Sequence, residues 1–324
     1  MKVFTMRNKK QAKLFFFSFF FLLVIIALAC SEKNNEQIVE TSSEPTATPV
    51  VISVQITSEP YISPEPLIKD QWYLDHIKDL ENDIREFGSC ESEAEIQKKA
   101  SAMFIDPSKK MIAFTFDDGP RDELTDAILD ICEENNVRVT FFIKGDYIAG
   151  HESQLRRMLS LGCEIGNHTW DHTDIEKLSS DEIHYQIESV NQRISSLLGY
   201  HIHSFRPPYI SYGKKGSETR DTLISIMKQS NMAVINHTRS SHDTYDNYTE
   251  DMIFERCTEQ YDESGHGLHN SIILCHDKTW KTIHAFERAV PVLLEQDYQL
   301  VTVYELLNCS PDGFHAGWIY SKAD

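Results

Sequence analysis

From Lys110 to Asn308 the chain repeats one pattern, a short apolar run followed by a segment with apolar residues at helical spacing. Met111 to Phe116, Arg138 to Ile143, Cys163 to Gly166, His203 to Arg206, Met232 to Asn236, Ser271 to Cys275 and Gln299 to Val303 read as strands. Glu123 to Asn135, Gln154 to Leu161, Ser179 to Leu198, Thr219 to Gln229 and Ile283 to Gln296 read as the helices between them. Strands joined by helical crossovers run parallel, and about 200 residues suffice for one sizeable core. A doubly wound sheet usually shows a glycine-rich phosphate loop after its first strand, and none follows here. The expected fold is α/β: a distorted, incomplete (β/α) barrel of about seven parallel strands.

Polar residues gather at the carboxyl ends of these strands. Asp117 and Asp118 follow the first, His168 and His172 the third, Arg206 to Tyr209 the fourth, and His276 with Asp277 the sixth. A parallel barrel brings those ends to one mouth, where residues distant in sequence meet. Adjacent aspartates after a buried strand form a solvated turn, or else are paired, metal-bound or matched to proton transfer. His168 and His172 are four positions apart, so one helical turn would put both imidazoles on one side. With one carboxylate they supply two nitrogens and an oxygen, a set suited to a catalytic divalent metal. Zinc is the default ion, with cobalt, nickel and manganese left open. Cys275 beside His276 invites a cysteine-nucleophile reading, but adjacent strand residues face opposite ways, so it should point into the helical layer.

Thr115-Phe116-Asp117-Asp118-Gly119-Pro120, the His168/His172 pair, Arg206-Pro207-Pro208-Tyr209 and Leu274-Cys275-His276 resemble, in order and spacing, the polysaccharide deacetylases of carbohydrate esterase family 4. The resemblance runs from about Lys109 to Leu307. It implies a metal-dependent hydrolase that removes acetyl groups from N-acetylated, sometimes O-acetylated, sugars. Carried onto this chain, it makes Asp118, His168 and His172 the metal ligands, Asp117 the general base and Arg206 the group that grips that base through a two-pronged fork. It also makes His276 the general acid, the Tyr209 N–H an oxyanion donor after Pro208, and Leu274 a wall around the acetyl methyl. One departure stands out. The family's tryptophan and aspartates after the fifth strand are replaced by Asn236 to Asp243, where Asp243 is the best substitute for the residue that tunes the site.

The organisation around this domain points outside the cytosol. Five basic residues (Lys2, Arg7, Lys9, Lys10 and Lys13) precede the apolar block Leu14 to Ala29, which reads as a signal peptide or membrane anchor over 1–29. Ala27-Leu28-Ala29-Cys30 resembles a bacterial lipoprotein box, making Cys30 a lipidation candidate. Residues 30–68 are rich in Ser, Thr, Pro and Glu and read as a disordered tether. A helical extension (69–108), the catalytic domain (109–308) and a C-terminal tail (309–324) follow. The formal net charge is −19, with no Lys/Arg cluster beyond the leader, so nucleic acid is excluded as a partner. The expected partners are an acetylated polysaccharide and, through the N-terminus, a bacterial membrane. Peptidoglycan is the favoured substrate. Chitooligosaccharide, acetylated xylan and a glycan-binding protein without turnover are the alternatives.

Overall fold

A computed structural model describes residues 71–89 and 92–323. The leader, Cys30 and the tether lie outside the described residues. Two helices, α1 (Gln71–Phe87) and α2 (Glu93–Ala102), come first. Then follow β1 (Lys110–Gly119), α3 (Asp122–Asn135), β2 (Thr140–Ile143), α4 (Glu152–Ser160), β3 (Glu164–Asn167), α5 (Ser180–Leu198), β4 (Ser204–Phe205), α6 (Glu218–Gln229) and β5 (Ala233–Ile235). The chain finishes with β6 (Arg239–Ser240), α7 (Glu250–Thr258), β7 (Ser271–His276), α8 (Trp280–Glu295), β8 (Tyr298–Leu300), α9 (Val303–Asn308) and β9 (Ile319–Tyr320).

Every ladder between these strands is parallel, in the order β6-β7-β1-β2-β3-β4-β5-β9, with β8 also paired to β1. The sheet thus has nine strands among the described residues, against about seven expected. The two extra strands, β6 and β9, are two residues each and too short to carry an alternation signal. Ile319 and Tyr320, in the stretch read from sequence as a C-terminal tail, form a strand of the sheet. Val234 and Ile235 pair with Ile319 and Tyr320, and Ala323 is buried.

The period-two pattern of β1 sorts its side chains between two cores. Ile112, Phe114 and Phe116 join the large cluster under the helices, whereas Met111 and Ala113 face the inside of the curve. Inside, Phe142 of β2, Ala233 and Ile235 of β5 and Ile272 of β7 belong to one cluster. Strands β2 and β5 are separated by β3 and β4 in the order, so a flat sheet could not bring these residues together. The sheet is curled, and β6 and β9 share no ladder, so its ends do not close by strand pairing. α9 plugs the amino end with Val303, Leu306 and Leu307. A Thr302–Glu305 capping box starts that helix, and Glu305 also forms a buried ion pair with Arg138 at 3.0 Å.

The amphipathic α1 stays away from the mouth. Its Leu80 and Ile84 pack with Ile96, Ala100 and Met103, and Leu80 and Met103 close over Gly162, in the turn that enters β3 from its amino end.

Candidate active site

The mouth is organised by the end of β1. Asp117 stands opposite Phe142 of β2 and His276 of β7 in the strand register. Regular alternation would aim Asp118 into the helical layer. Instead, the β1–β2 register shifts between Asp117 and Gly119, and Asp118 takes a left-handed φ of 78°. That irregularity lets both carboxylates reach one site.

His168 and His172 meet there, but not by a helical turn. The segment between them is a loop, with left-handed backbone at Thr169 (φ 67°) and His172 (φ 68°). Neighbouring side chains brace it. Asn167 Oδ1 accepts from the Thr169 N–H at 2.8 Å, and Gln186 Oε1 on α5 accepts from the N–H groups of Trp170 and Asp171. The Asn167 amide donates in turn to the Ile187 carbonyl at 2.9 Å. The imidazole rings end with centroids 5.0 Å apart, edge to face.

Asp118 Oδ1 lies 3.1 Å from His172 Nε2 and 3.5 Å from His168 Nε2, and one donor atom of each residue falls within 4.8 Å of the others. His168 Nδ1 donates to the Arg206 carbonyl at 2.6 Å, which leaves its Nε2 as a lone pair facing the carboxylate. Burial holds His168 below the usual imidazole value, favouring that neutral form. For Asp118, burial opposes ionisation, but the hydrogen bond from His172, the His168 imidazole and the Lys278 ammonium outweigh it and hold the carboxyl well below its ordinary value. A carboxylate oxygen and two imidazole nitrogens at this separation fit a divalent cation of the zinc type.

Arg206 is fully buried and links three strands. Its Nη1 donates to Asp117 Oδ1 at 2.8 Å and to Thr115 Oγ1 at 2.6 Å, while Nε and Nη2 donate to the carbonyls of Ile235 and Asn236. Thr115 passes the bond on to the Ile273 carbonyl. The expected two-pronged grip on Asp117 is therefore a single hydrogen bond. The remaining donors go to the Thr115 hydroxyl and to the Ile235 and Asn236 carbonyls at the end of β5. Replacing Arg206 with methionine should cost about 3–5 kcal/mol, because it strips a buried carboxylate and those carbonyls of their donor. Urea unfolding would check it, and a midpoint within error of the wild type would remove Arg206 as the structural tie.

His276 faces Asp117 across the β1–β7 ladder, and Asp243 sits behind it. Asp243 Oδ1 is 2.9 Å from His276 Nδ1, while Oδ2 accepts from the His276 N–H at 2.7 Å and from the Thr282 hydroxyl at 3.0 Å. The divergent stretch after β5 makes this possible. Pairing with β7 continues as far as the Ser241 N–H, which donates to the Leu274 carbonyl, and then His242 turns left-handed at φ 58° and folds Asp243 back onto the imidazole. Burial opposes the imidazolium, but the hydrogen bond and charge of Asp243, with Asp117 and Asp118 beyond, more than offset it and raise the His276 pKa.

With this geometry in place, comparison with known proteins is decisive. The polysaccharide deacetylase family model matches residues 105–223. The peptidoglycan-N-acetylmuramic acid deacetylase PdaC of Bacillus subtilis is 33% identical over 240 residues, which span 74% of this chain and 47% of that protein. The peptidoglycan-N-acetylglucosamine deacetylase PgdA of Listeria monocytogenes is 30% identical over 200 residues, 61% of this chain and 39% of that one. The chain thus spans less than half the length of these two relatives. The solved structure of PdaC from Bacillus subtilis aligns with a TM-score of 0.55 at 32% identity, covering 63% of this chain and 93% of that structure. The chain belongs to the polysaccharide deacetylase family.

The other residues expected at this deacetylase site fall as follows. Tyr209 adopts a left-handed backbone (φ 58°) directly after Pro207 and Pro208, and its ring packs on His172 at 4.9 Å. Pro208 is buried, and Leu274 is nearly so, opposite Thr115 in the register and on the His276 side of β7. Cys275 lies in the helical-layer core, as strand alternation requires. Asp277 does not join the mouth. It is fully buried, its Oδ2 accepts from Thr125 Oγ1 at 2.6 Å, and burial pushes its pKa up to about 7.

Two residues at the site went unread. Lys278 reaches Asp118 Oδ2 with its ammonium, and its place two residues after His276 was the available signal. His237 follows β5 within electrostatic range of Asp117 and Arg206, and burial lowers its pKa to about 4. Two other histidines have partners of their own. His203 stacks on Tyr304 at 4.2 Å, and His266 pairs with Asp262 in its own loop.

Proposed function

We propose that this chain hydrolyses acetyl groups from N-acetylated sugars of an extracellular polysaccharide, with peptidoglycan as the substrate. The observation that carries this reading is the placement of Asp117 and His276 as register partners on adjacent strands, flanking the Asp118-His168-His172 triad. Both relatives named above act on peptidoglycan, one at N-acetylmuramic acid and the other at N-acetylglucosamine, and the leader-like N-terminus favours work outside the cytosol.

Asp118, His168 and His172 would hold a divalent ion, with zinc the first expectation. Such an ion would supply an acidified water and a Lewis acid for the acetyl carbonyl. Asp117, fixed by Arg206, takes the proton of the attacking water. The carbonyl oxygen gains charge as the carbon becomes tetrahedral, and the Tyr209 amide, the first N–H after two prolines, is the backbone donor for it. The C–N bond then breaks. The sugar nitrogen cannot leave as an anion, so the His276 imidazolium protonates it from Nε2 while Nδ1–H stays on Asp243. Leu274 lines the space for the acetyl methyl.

Acetate release from peptidoglycan by the chain from about residue 70 onward, stopped by chelation and restored by zinc or cobalt, tests this reading. Release that survives complete metal removal, or none from any acetylated glycan with metal bound, would overturn it. A pH profile tests the acid. His276 must be protonated to act, so its raised pKa extends activity upward in pH. Asp243→Asn removes that support, and the alkaline limb of kcat should move to lower pH while kcat itself falls. An unmoved limb would detach Asp243 from the proton-transfer step.

A further inference from the structure

Tyr245 and Trp280 are large, exposed aromatic side chains, 54% and 46% exposed, and both lie on segments that leave the His276 side of the mouth. Tyr245 is two residues beyond Asp243, which holds the His276 imidazole. Trp280 is four residues beyond His276, at the first turn of α8, and Lys278 between them touches Asp118.

The two segments are fastened to each other. Lys281, next to Trp280, donates from Nζ to the carbonyls of Tyr245 and Tyr248 at 3.1 and 3.2 Å. On the loop itself, the Tyr248 hydroxyl is 2.8 Å from His242 Nδ1, and Tyr245 packs against His242 and Tyr248 with centroids 5.0 and 5.7 Å away. Trp280 is flanked by His284 at 5.8 Å. Exposed aromatics scattered singly need no explanation, but here the backbone carrying them is pinned.

We infer that Tyr245 and Trp280 form a sugar-stacking subsite for the glycan residue next to the one being deacetylated, on the His276 side. This rests on the polysaccharide reading above and adds where the polymer lies. A pyranose ring shows an apolar face of C–H groups and a rim of hydroxyls, so it covers an aromatic face while its hydroxyls stay hydrated. Rings held in place before binding lose little conformational freedom when a sugar docks. The subsite would favour oligomers over single sugars.

The test uses chitotetraose and single N-acetylglucosamine, titrated calorimetrically into the zinc-loaded Asp117→Asn variant, with and without Trp280→Ala or Tyr245→Ala. Each loss should weaken tetramer binding by about tenfold and leave the monomer unchanged. In the otherwise wild-type enzyme, KM for the tetramer should rise with kcat retained. Equal tetramer affinity in all variants, or parallel losses for tetramer and monomer, would overturn the inference. If tetramer binding depends on these rings but wild-type enzyme releases no acetate, the hydrolase reading fails and the subsite stands.

Discussion

Changing Asp117 to asparagine is expected to lower kcat for acetate release by about 10²- to 10⁴-fold, the usual contribution of a positioned general base. The asparagine oxygen can still accept from Arg206 Nη1, now 2.8 Å from Asp117 Oδ1, so fold and metal affinity should survive. Neither amide atom can take a proton from water near neutral pH. The informative comparison is therefore turnover against bound metal in the same sample. Wild-type turnover would remove Asp117 from the role of base, and loss of metal would mean that it shares in holding the ion.

Removing His168 should have the opposite signature. His168→Ala deletes one of three donors that lie within 4.8 Å of one another. Loss of an outer-shell partner alone typically weakens a metal site by about 10- to 100-fold, so losing a ligand should exceed about 100-fold. Competition with a chromophoric chelator measures this directly, and activity should return in part only at high zinc. A variant with unchanged zinc affinity would take His168 out of the ion's coordination. His168 also ties the third strand to the fourth through the Arg206 carbonyl, so His168→Gln serves as a control that keeps a polar side chain at that position.

The histidine pair shows where sequence reading worked and where it did not. Spacing of four drew attention to His168 and His172, and they do converge, but the helical turn assumed for them is a loop with two left-handed residues. Its shape depends on Asn167 and on Gln186, which lies fourteen positions beyond His172 and arrives through the packing of α5. The same holds at Asp118. Alternation from Phe114 to Asp117 was legible, but the register shift that swings the next carboxylate inward arises only when β2 is laid beside β1.

Asp243 marks the boundary most clearly. Its carboxylate could be picked from the divergent stretch after the fifth strand, but no spacing argument fixes it behind His276. The continuation of β6 alongside β7 and the left-handed turn at His242 do so. Lys278 and the burial of Asp277 belong to the same class, because a side chain's direction after a strand ends no longer follows period two.

What the sequence determined by itself was the local code: parallel strands alternating with helices, ionisable residues at the strand carboxyl ends, and the four motifs that identify the family. These are set by side-chain periodicity and by residue type, both written along the chain. Only the tertiary structure decided the curl that brings β2, β5 and β7 into one interior, the pairing of Ile319 and Tyr320 with β5, the single bond by which Arg206 holds Asp117, and the seat of Asp243 behind His276. Each of those depends on which strands become neighbours and on which buried donors are left to be satisfied. Hydrogen-bond demand in a closed interior is a property of the assembled fold, not of any segment alone.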